Sequence, residues 1–352
     1  MSPFLPDPAT AAVPEIGCEA TGLPPLASDS QYQAGTFRTG ESKRPCNRHR
    51  ERREIRPLPR HPNLDLQKRP VLPETRRVHL QRDKRNNPLI HRARKRFGQN
   101  FLHDPGVIAR IVATINAQSG DMLVEIGPGR GAITLPLLKA CGRLDVIELD
   151  RDLIPSLMAA ARTIGELAVH QADALDFDFA ALAARSHIRV VGNLPYNVST
   201  PLLFHLIEQS AYITDMHFML QKEVVARMAA TPGGCDYGRL SVMVQYHCEV
   251  EPLFDVAPDA FRPMPRVQSA FVRLRPHSTR PVTARDPVCL ATVVRQAFSQ
   301  RRKTLRNSLK GLLSAEQIAA TGTDPAARAQ ATSLNQYVAL ADLLATNTTT
   351  EG

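Results

Sequence analysis

The sequence lacks the signatures of a metal centre, a disulfide framework and a membrane span. Its six cysteines, Cys18, Cys46, Cys141, Cys235, Cys248 and Cys289, include no Cys-x-x-Cys pair, and its 11 histidines form neither His-x-x-x-His nor His-Glu-x-x-His. Metal ligands and redox dithiols rely on such spacings, so no resident metal is expected, and the cysteine usage suits the reducing cytosol. No apolar run approaches the roughly 20 residues that a membrane-spanning helix needs, which predicts a soluble chain. No Lys or Arg precedes Arg38, whereas Asp7, Glu15, Glu19 and Asp29 do, and there is no long apolar h-region. Neither a secretory leader nor a transit peptide fits such a beginning.

What the chain does have is a basic balance and enough apolar residues for a sizeable core. With 352 residues, 43% of them hydrophobic, it can hold two domains. The net charge of +10 points to an anionic partner. Residues 1–90 carry 13 of the 28 prolines and 16 Lys and Arg against 10 Asp and Glu, with no sustained helical or strand period. They are expected to form a disordered, basic, proline-rich extension. It is read either as a tail that adds affinity for that anionic partner or as the product of a translation start that the cell does not use.

From residue 91 the pattern changes to alternating strands and helices. Leu123-Val124-Glu125-Ile126 is an apolar strand that runs into Gly127-Pro128-Gly129-Arg130-Gly131 and then into a helix opening at 132–138. Glycine in such a turn lets the backbone take positive φ and approach a ligand without a Cβ in the way. The spacing is Gly-x-Gly-x-Gly and not the Gly-x-Gly-x-x-Gly of dinucleotide sites, which weighs against NAD. Residues 144–150 read as a second strand that delivers Glu148 about 20 residues after the glycines, where a ribose diol is bound in this architecture. Residues 167–173 read as a third, ending in Asp173, which could accept from the amine of an adenine. The apolar run 187–192 leads into Asn193-Leu194-Pro195-Tyr196. An amide oxygen and a backbone carbonyl at Leu194 or Pro195 can accept both hydrogens of an exocyclic amine, and the tyrosine can stack on the ring. Further strands are expected at 215–221, 250–256 and 269–275, with helices at 104–117, 201–209 and 222–230. Three more helices are expected at 288–298, 301–313 and 334–345. Ligands gather at the carboxyl ends of strands in open α/β sheets, so the four site elements should share one rim.

Residues from about 93 to 344 resemble the small-subunit ribosomal RNA adenine dimethyltransferase family. The likeness rests on five stretches in order: Phe97-Gly98-Gln99-Asn100-Phe101-Leu102, the glycine turn, Asn193 to Ser199, Phe261-Arg262-Pro263-Met264-Pro265-Arg266-Val267-Gln268-Ser269, and 300–309 with Gln300-Arg301-Arg302-Lys303-Thr304. The resemblance implies S-adenosylmethionine as methyl donor, held by Asn100, Leu102, Gly127, Gly129, Glu148, Asp173 and Asn193. As acceptors it implies two adjacent adenosines near the 3′ end of small-subunit rRNA, in free RNA or a pre-30S particle, each dimethylated on N6. Asn193, Leu194, Pro195 and Tyr196 are then the catalytic turn, and Phe261 a second aromatic face of the target pocket. The implied fold is a Rossmann-like class I methyltransferase sheet with seven strands, one antiparallel, and helices on both faces at 91–276. A small α-helical C-terminal domain at 277–352 would help select the ribosomal substrate. The chain is expected to act as a cytoplasmic monomer.

Three basic clusters are expected to grip RNA. Arg94, Lys95 and Arg96 lead into the donor segment; Arg262 and Arg266, with Arg273 and Arg275, flank the target loop; Arg301, Arg302, Lys303 and Arg306 are placed on a C-terminal helix. Such binding weakens steeply with salt. Competing readings are a large-subunit rRNA adenine methylase of the macrolide-resistance kind, an RNA-binding assembly factor whose methylation is dispensable, and a nicotinamide dehydrogenase.

Overall fold

A computed structural model describes residues 99–183 and 186–350. The expected extension at 1–90 and the basic residues Arg94, Lys95 and Arg96 lie outside the described residues.

The chain opens with a two-residue strand, β1 (Phe101–Leu102), and then α1 (Pro105–Ile115). Asp104 starts α1 by accepting the Val107 N–H at 2.8 Å, and Pro105 fits the first turn, where no intrahelical donor is needed. Asn116 ends it in the left-handed conformation at φ 49°. Next come β2 (Leu123–Ile126), α2 (Thr134–Cys141), β3 (Arg143–Ile147), α3 (Ile154–Ala161), β4 (Glu166–His170), α4 (Phe179–Leu182), β5 (Ile188–Asn193) and α5 (Ser199–Glu208). The second half of the sheet region holds β6 (Ile213–Gln221), α6 (Lys222–Ala229), α7 (Arg239–His247), β7 (Cys248–Val256), β8 (Phe261–Arg262) and β9 (Ser269–Pro276). Four helices follow: α8 (Pro287–Ser299), α9 (Leu305–Ser308), α10 (Ala315–Ala320) and α11 (Leu334–Thr350).

Seven strands form one sheet in the order β4-β3-β2-β5-β6-β9-β7. Strands β2 to β6 pair in parallel, whereas β9 inserts between β6 and β7 antiparallel to both. This is the expected seven-stranded sheet with a single reversed strand. Successive residues alternate between its two faces. Val190 and Phe218 enter one apolar cluster with α5, α6 and α7, while Val191 and Met219 enter the other with α1, α2 and α3. Both faces are therefore covered by helices.

The helices after β9 do not build a core of their own. Leu290, Val293 and Val294 of α8 and Tyr337 and Leu340 of α11 belong to the same cluster as Val242 and Tyr246 of α7. The Ala284 N–H also donates to the Tyr246 hydroxyl at 3.2 Å. A helix over 301–313 is not formed. Arg301, Arg302 and Lys303 lie in a turn, and only Arg306 of that run is on the short α9. Thr304 is extended at φ −73°, ψ 161° and pairs with Arg328, so the chain cannot continue helically through it. Helix α7 and the β1–β8 ribbon were not expected from the sequence.

At its start β5 is pinned by Arg189, which donates to Asp215 at 3.0 Å, to Asp121 at 2.7 Å and to the Ile115 carbonyl at 2.7 Å. With that end tied, the position of its last residue, Asn193, is set by the strand.

Candidate active site

The carboxyl ends of β2, β3, β4 and β5 open into a cavity of about 360 Å³, a size that suits a cofactor-sized ligand. Gly127, Gly129, Glu148, Asp173 and Asn193 to Tyr196 all line it, as do Asn100 and Leu102. Every residue expected to hold a donor thus faces one space.

Gly127 and Gly129 take φ of 67° and 58°, which a side chain would strain. A Cβ at Gly127 would meet nothing within 4 Å, so the turn leaves room for a ligand; at Gly129 it would press on the Phe101 ring at 3.2 Å. Glu148 sits just past the end of β3, not within a strand as far as Asp150. Its Oε2 accepts the Gly129 N–H at 3.2 Å and its Oε1 the Asp150 N–H at 2.7 Å. These bonds fix the carboxylate against the glycine turn. Burial nonetheless pushes its pKa up, opposed by the Asp150 and Gly129 N–H groups. Asp173 closes a turn by accepting the Leu175 N–H at 3.0 Å on Oδ1.

Asn193 is oriented from far away in the chain. Its Nδ2 donates to the Asn100 carbonyl at 3.0 Å. Only the amide nitrogen can donate, so this bond sets the flip of the side chain and leaves Oδ1 as an acceptor in the cavity wall. Leu194 is buried, with its N–H on the Met219 carbonyl at 3.2 Å, and the Pro195 carbonyl accepts the Val198 N–H at 3.2 Å. The Tyr196 hydroxyl shares a 2.7 Å hydrogen bond with Ser269 Oγ, and burial raises its pKa, which keeps the phenol neutral.

Phe261, expected as a second aromatic face, does not line the cavity. It is 1% exposed and packs in the cluster with Ile111 and Phe271. In the β1–β8 ribbon it pairs directly opposite Leu102, and both side chains enter that same apolar cluster. Phe101 and Phe271 are the phenylalanines that line the cavity.

Sequence reasoning also passed over Glu125. It lies on β2 at the cavity, 1% exposed, and its Oε2 has no hydrogen-bond partner among the described residues. Burial pushes its pKa up to about 8, with the Thr134 hydroxyl opposing and the Glu148 charge adding to the rise. An acid inside an otherwise apolar strand was the available signal. The anchoring roles of Asn100 and Ser269 had none, because each acts across more than 70 residues.

Arg262, Arg266, Arg301, Arg302, Lys303 and Arg306 are all exposed. Arg301 donates to the Cys235 carbonyl, and Arg262 Nε to His103 Nε2 at 3.2 Å. Arg273 and Arg275 differ: they pair across the sheet with Glu251 and Glu249, so acids beside them offset their charge.

Residues 90–346 match the family model described as ribosomal RNA adenine dimethylase. The chain belongs to the ribosomal RNA adenine dimethylase family. A relative in Pseudomonas aeruginosa, named ribosomal RNA small subunit methyltransferase A, is 61% identical over 256 residues, covering 72% of this chain and 96% of the relative. A relative of the same name in Marinobacter nauticus is 56% identical over 255 residues, covering 72% and 92%. Among solved structures, a dimethyladenosine transferase from Plasmodium falciparum superposes with a TM-score of 0.58 at 25% identity, covering 68% of this chain and 95% of that one. The 23S rRNA methyltransferase ErmE superposes with a TM-score of 0.56 at 24% identity, covering 70% and 100%, and shares the fold. The match of this dimethylase-family chain to small-subunit relatives along nearly their whole length disfavours the macrolide-resistance reading, and the family itself disfavours the dehydrogenase. No helix of the described residues is long and apolar enough to cross a membrane, and no group of three or more His, Cys, Asp or Glu among them could hold a metal.

Proposed function

We propose that this chain transfers methyl groups from S-adenosylmethionine to N6 of two adjacent adenosines near the 3′ end of small-subunit rRNA, giving dimethyladenosines and serving small-subunit biogenesis in the cytoplasm. The observation that carries the reading is the Asn193 amide, whose nitrogen is tied to the Asn100 carbonyl so that its oxygen is left for an incoming amine.

The residues present fit the donor. Open space over Gly127 accommodates it, Glu148 and Asp173 offer carboxylate oxygens to a ribose diol and an adenine amine, and the unpartnered Glu125 oxygen suits an ammonium group. Asn100 and Leu102 close the cavity from the N-terminal segment. When bound, S-adenosylmethionine supplies an electrophilic methyl carbon on a sulfonium.

The chain's work is to make a poor nucleophile attack. The adenine N6 lone pair is delocalised into the ring, and Asn193 Oδ1 together with a backbone carbonyl can pull its two hydrogens toward a pyramidal nitrogen. Because the Pro195 carbonyl already serves Val198, the Leu194 carbonyl is the better placed second acceptor. Both acceptors stabilise the positive charge that develops on nitrogen, a preorganised effect worth roughly 2.7–4 kcal/mol per group in comparable sites. Holding the reactants in line contributes a further ~7–11 kcal/mol in well-oriented systems. The alkylated nitrogen is acidic enough to lose its proton to water, so no general base is needed, and no histidine stands among the described lining residues. Tyr196 offers a ring to replace the stacking that the flipped base loses. Arg262, Arg266, Arg301, Arg302, Lys303 and Arg306 supply the phosphate contacts, joined in the sequence by Arg94, Lys95 and Arg96.

Incubation with labelled S-adenosylmethionine and undermethylated small subunits, followed by digestion, tests the reading. Label in N6,N6-dimethyladenosine is expected. Label in another nucleoside, or none, defeats it. An assembly role beside catalysis is separated by comparing growth of Asn193→Ala with a deletion: matching defects leave catalysis as the whole function.

A further inference from the structure

Among the described residues six large apolar side chains are exposed, and two of them, Met264 at 67% and Val267 at 44%, stand on the single loop between β8 and β9. We infer that this loop is a wedge: Met264, seconded by Val267, enters the RNA stack and fills the gap that a target adenine leaves when it turns into the cavity. The inference rests on the function proposed above and assigns to the loop a task distinct from lining the pocket.

Three observations carry it. First, the loop is held at both ends by residues of the site. At its start Phe261 and Arg262 pair with Leu102 and Phe101 of β1, and Leu102 lines the cavity. At its end the Gln268 carbonyl accepts the Lys222 N–H at 3.0 Å, and Ser269 Oγ is bonded to the Tyr196 hydroxyl at 2.7 Å. The base of Met264 is therefore registered against the ring that would receive the adenine. Second, the loop is stiff. Pro263 and Pro265 flank Met264, and Pro265 is buried, so the side chain between them is presented outward on a restricted backbone. Third, the surroundings suit a polyanion. Arg262 and Arg266 are exposed on either side of Met264, and residues 261–268 contain no acid. Apolar side chains flanked by arginines are the chemistry with which proteins part stacked bases while gripping the phosphates. An apolar protein partner would not call for the arginines, and a purely electrostatic contact would not call for an exposed methionine.

The test follows steady-state methylation of undermethylated small subunits by the full chain. Met264→Ala is expected to lower kcat about ten-fold or more, with KM for the subunits, donor affinity and Tm near wild type. Met264→Leu, which keeps the apolar bulk, should retain most of kcat. Arg266→Gln should do the converse, raising KM and weakening the salt dependence with little change in kcat. Wild-type kcat in Met264→Ala overturns the wedge, as does a loss that Leu does not restore. Failure of the underlying function reads differently, since the wild-type chain itself would then put no methyl on adenine.

Discussion

The proposed donor half and the proposed acceptor half of the cavity are held by bonds of very different reach along the chain. On the donor side Glu148 is fixed by N–H groups 19 and 2 residues away, and Asp173 by one 2 residues away. On the acceptor side Asn193 is fixed by a carbonyl 93 residues away and Tyr196 by a hydroxyl 73 residues away. A strand, a glycine turn and a following helix are enough to build the first kind. The second needs the N-terminal segment laid across the sheet and β9 inserted beside β6. Glu148 and Asp173 should therefore tolerate remote changes, whereas Asn193 and Tyr196 should register them as lost turnover.

The comparison is broken most directly at Asn193. Asn193→Ala should lower kcat about 10²–10³-fold, with RNA affinity measured by filter binding far less affected; equal losses in both would remove the distinction. The next effect concerns Glu125. A carboxyl whose folded pKa is raised lends stability that is fully present below its unfolded value and is lost as pH rises toward the folded value, here about 8. The donor-free protein should lose roughly 2 kcal/mol between pH 5.5 and 7.5, read as a falling Tm, and Glu125→Gln should flatten that slope. Glu148→Ala comes third. It should weaken donor binding about ten- to thirty-fold by calorimetry, the ~1.5–2 kcal/mol expected when charged hydrogen bonds go, while kcat at saturating donor falls less. The smallest is Ser269→Ala, which frees the Tyr196 hydroxyl and removes about 0.5–1.5 kcal/mol. It should lower kcat severalfold with donor affinity unchanged. A matching loss of donor affinity there would show that the halves are not separable.

Much of the site was legible because its parts obey local rules. Gly127 and Gly129 announce positive φ, Glu148 and Asp173 stand just beyond the strands β3 and β4, and Asn193 ends an apolar run, each readable within a ten-residue window. The burial of Phe261 was not legible, for the opposite reason. An aromatic beside a proline-rich loop can face either way, and only packing in the cluster with Ile111 and Phe271, from distant parts of the chain, buries the ring. The run 301–313 was likewise read as one helix from its composition. The Thr304–Arg328 bridge, a contact between distant residues, straightens the chain there and leaves Arg301, Arg302 and Lys303 on a turn.

The sequence by itself determined the alternation of strands and helices through most of the sheet, the glycine turn and the placing of Glu148, Asp173 and Asn193 at the cavity, because hydrophobic period and backbone permissiveness act over a few residues. Tertiary structure alone decided which way Asn193 presents its amide, which aromatic rings reach the cavity, and that Met264 stands exposed on a loop tied at both ends to the site. Those outcomes depend on hydrogen bonds and register between segments far apart in the chain, and no local pattern encodes a partner that only folding brings near.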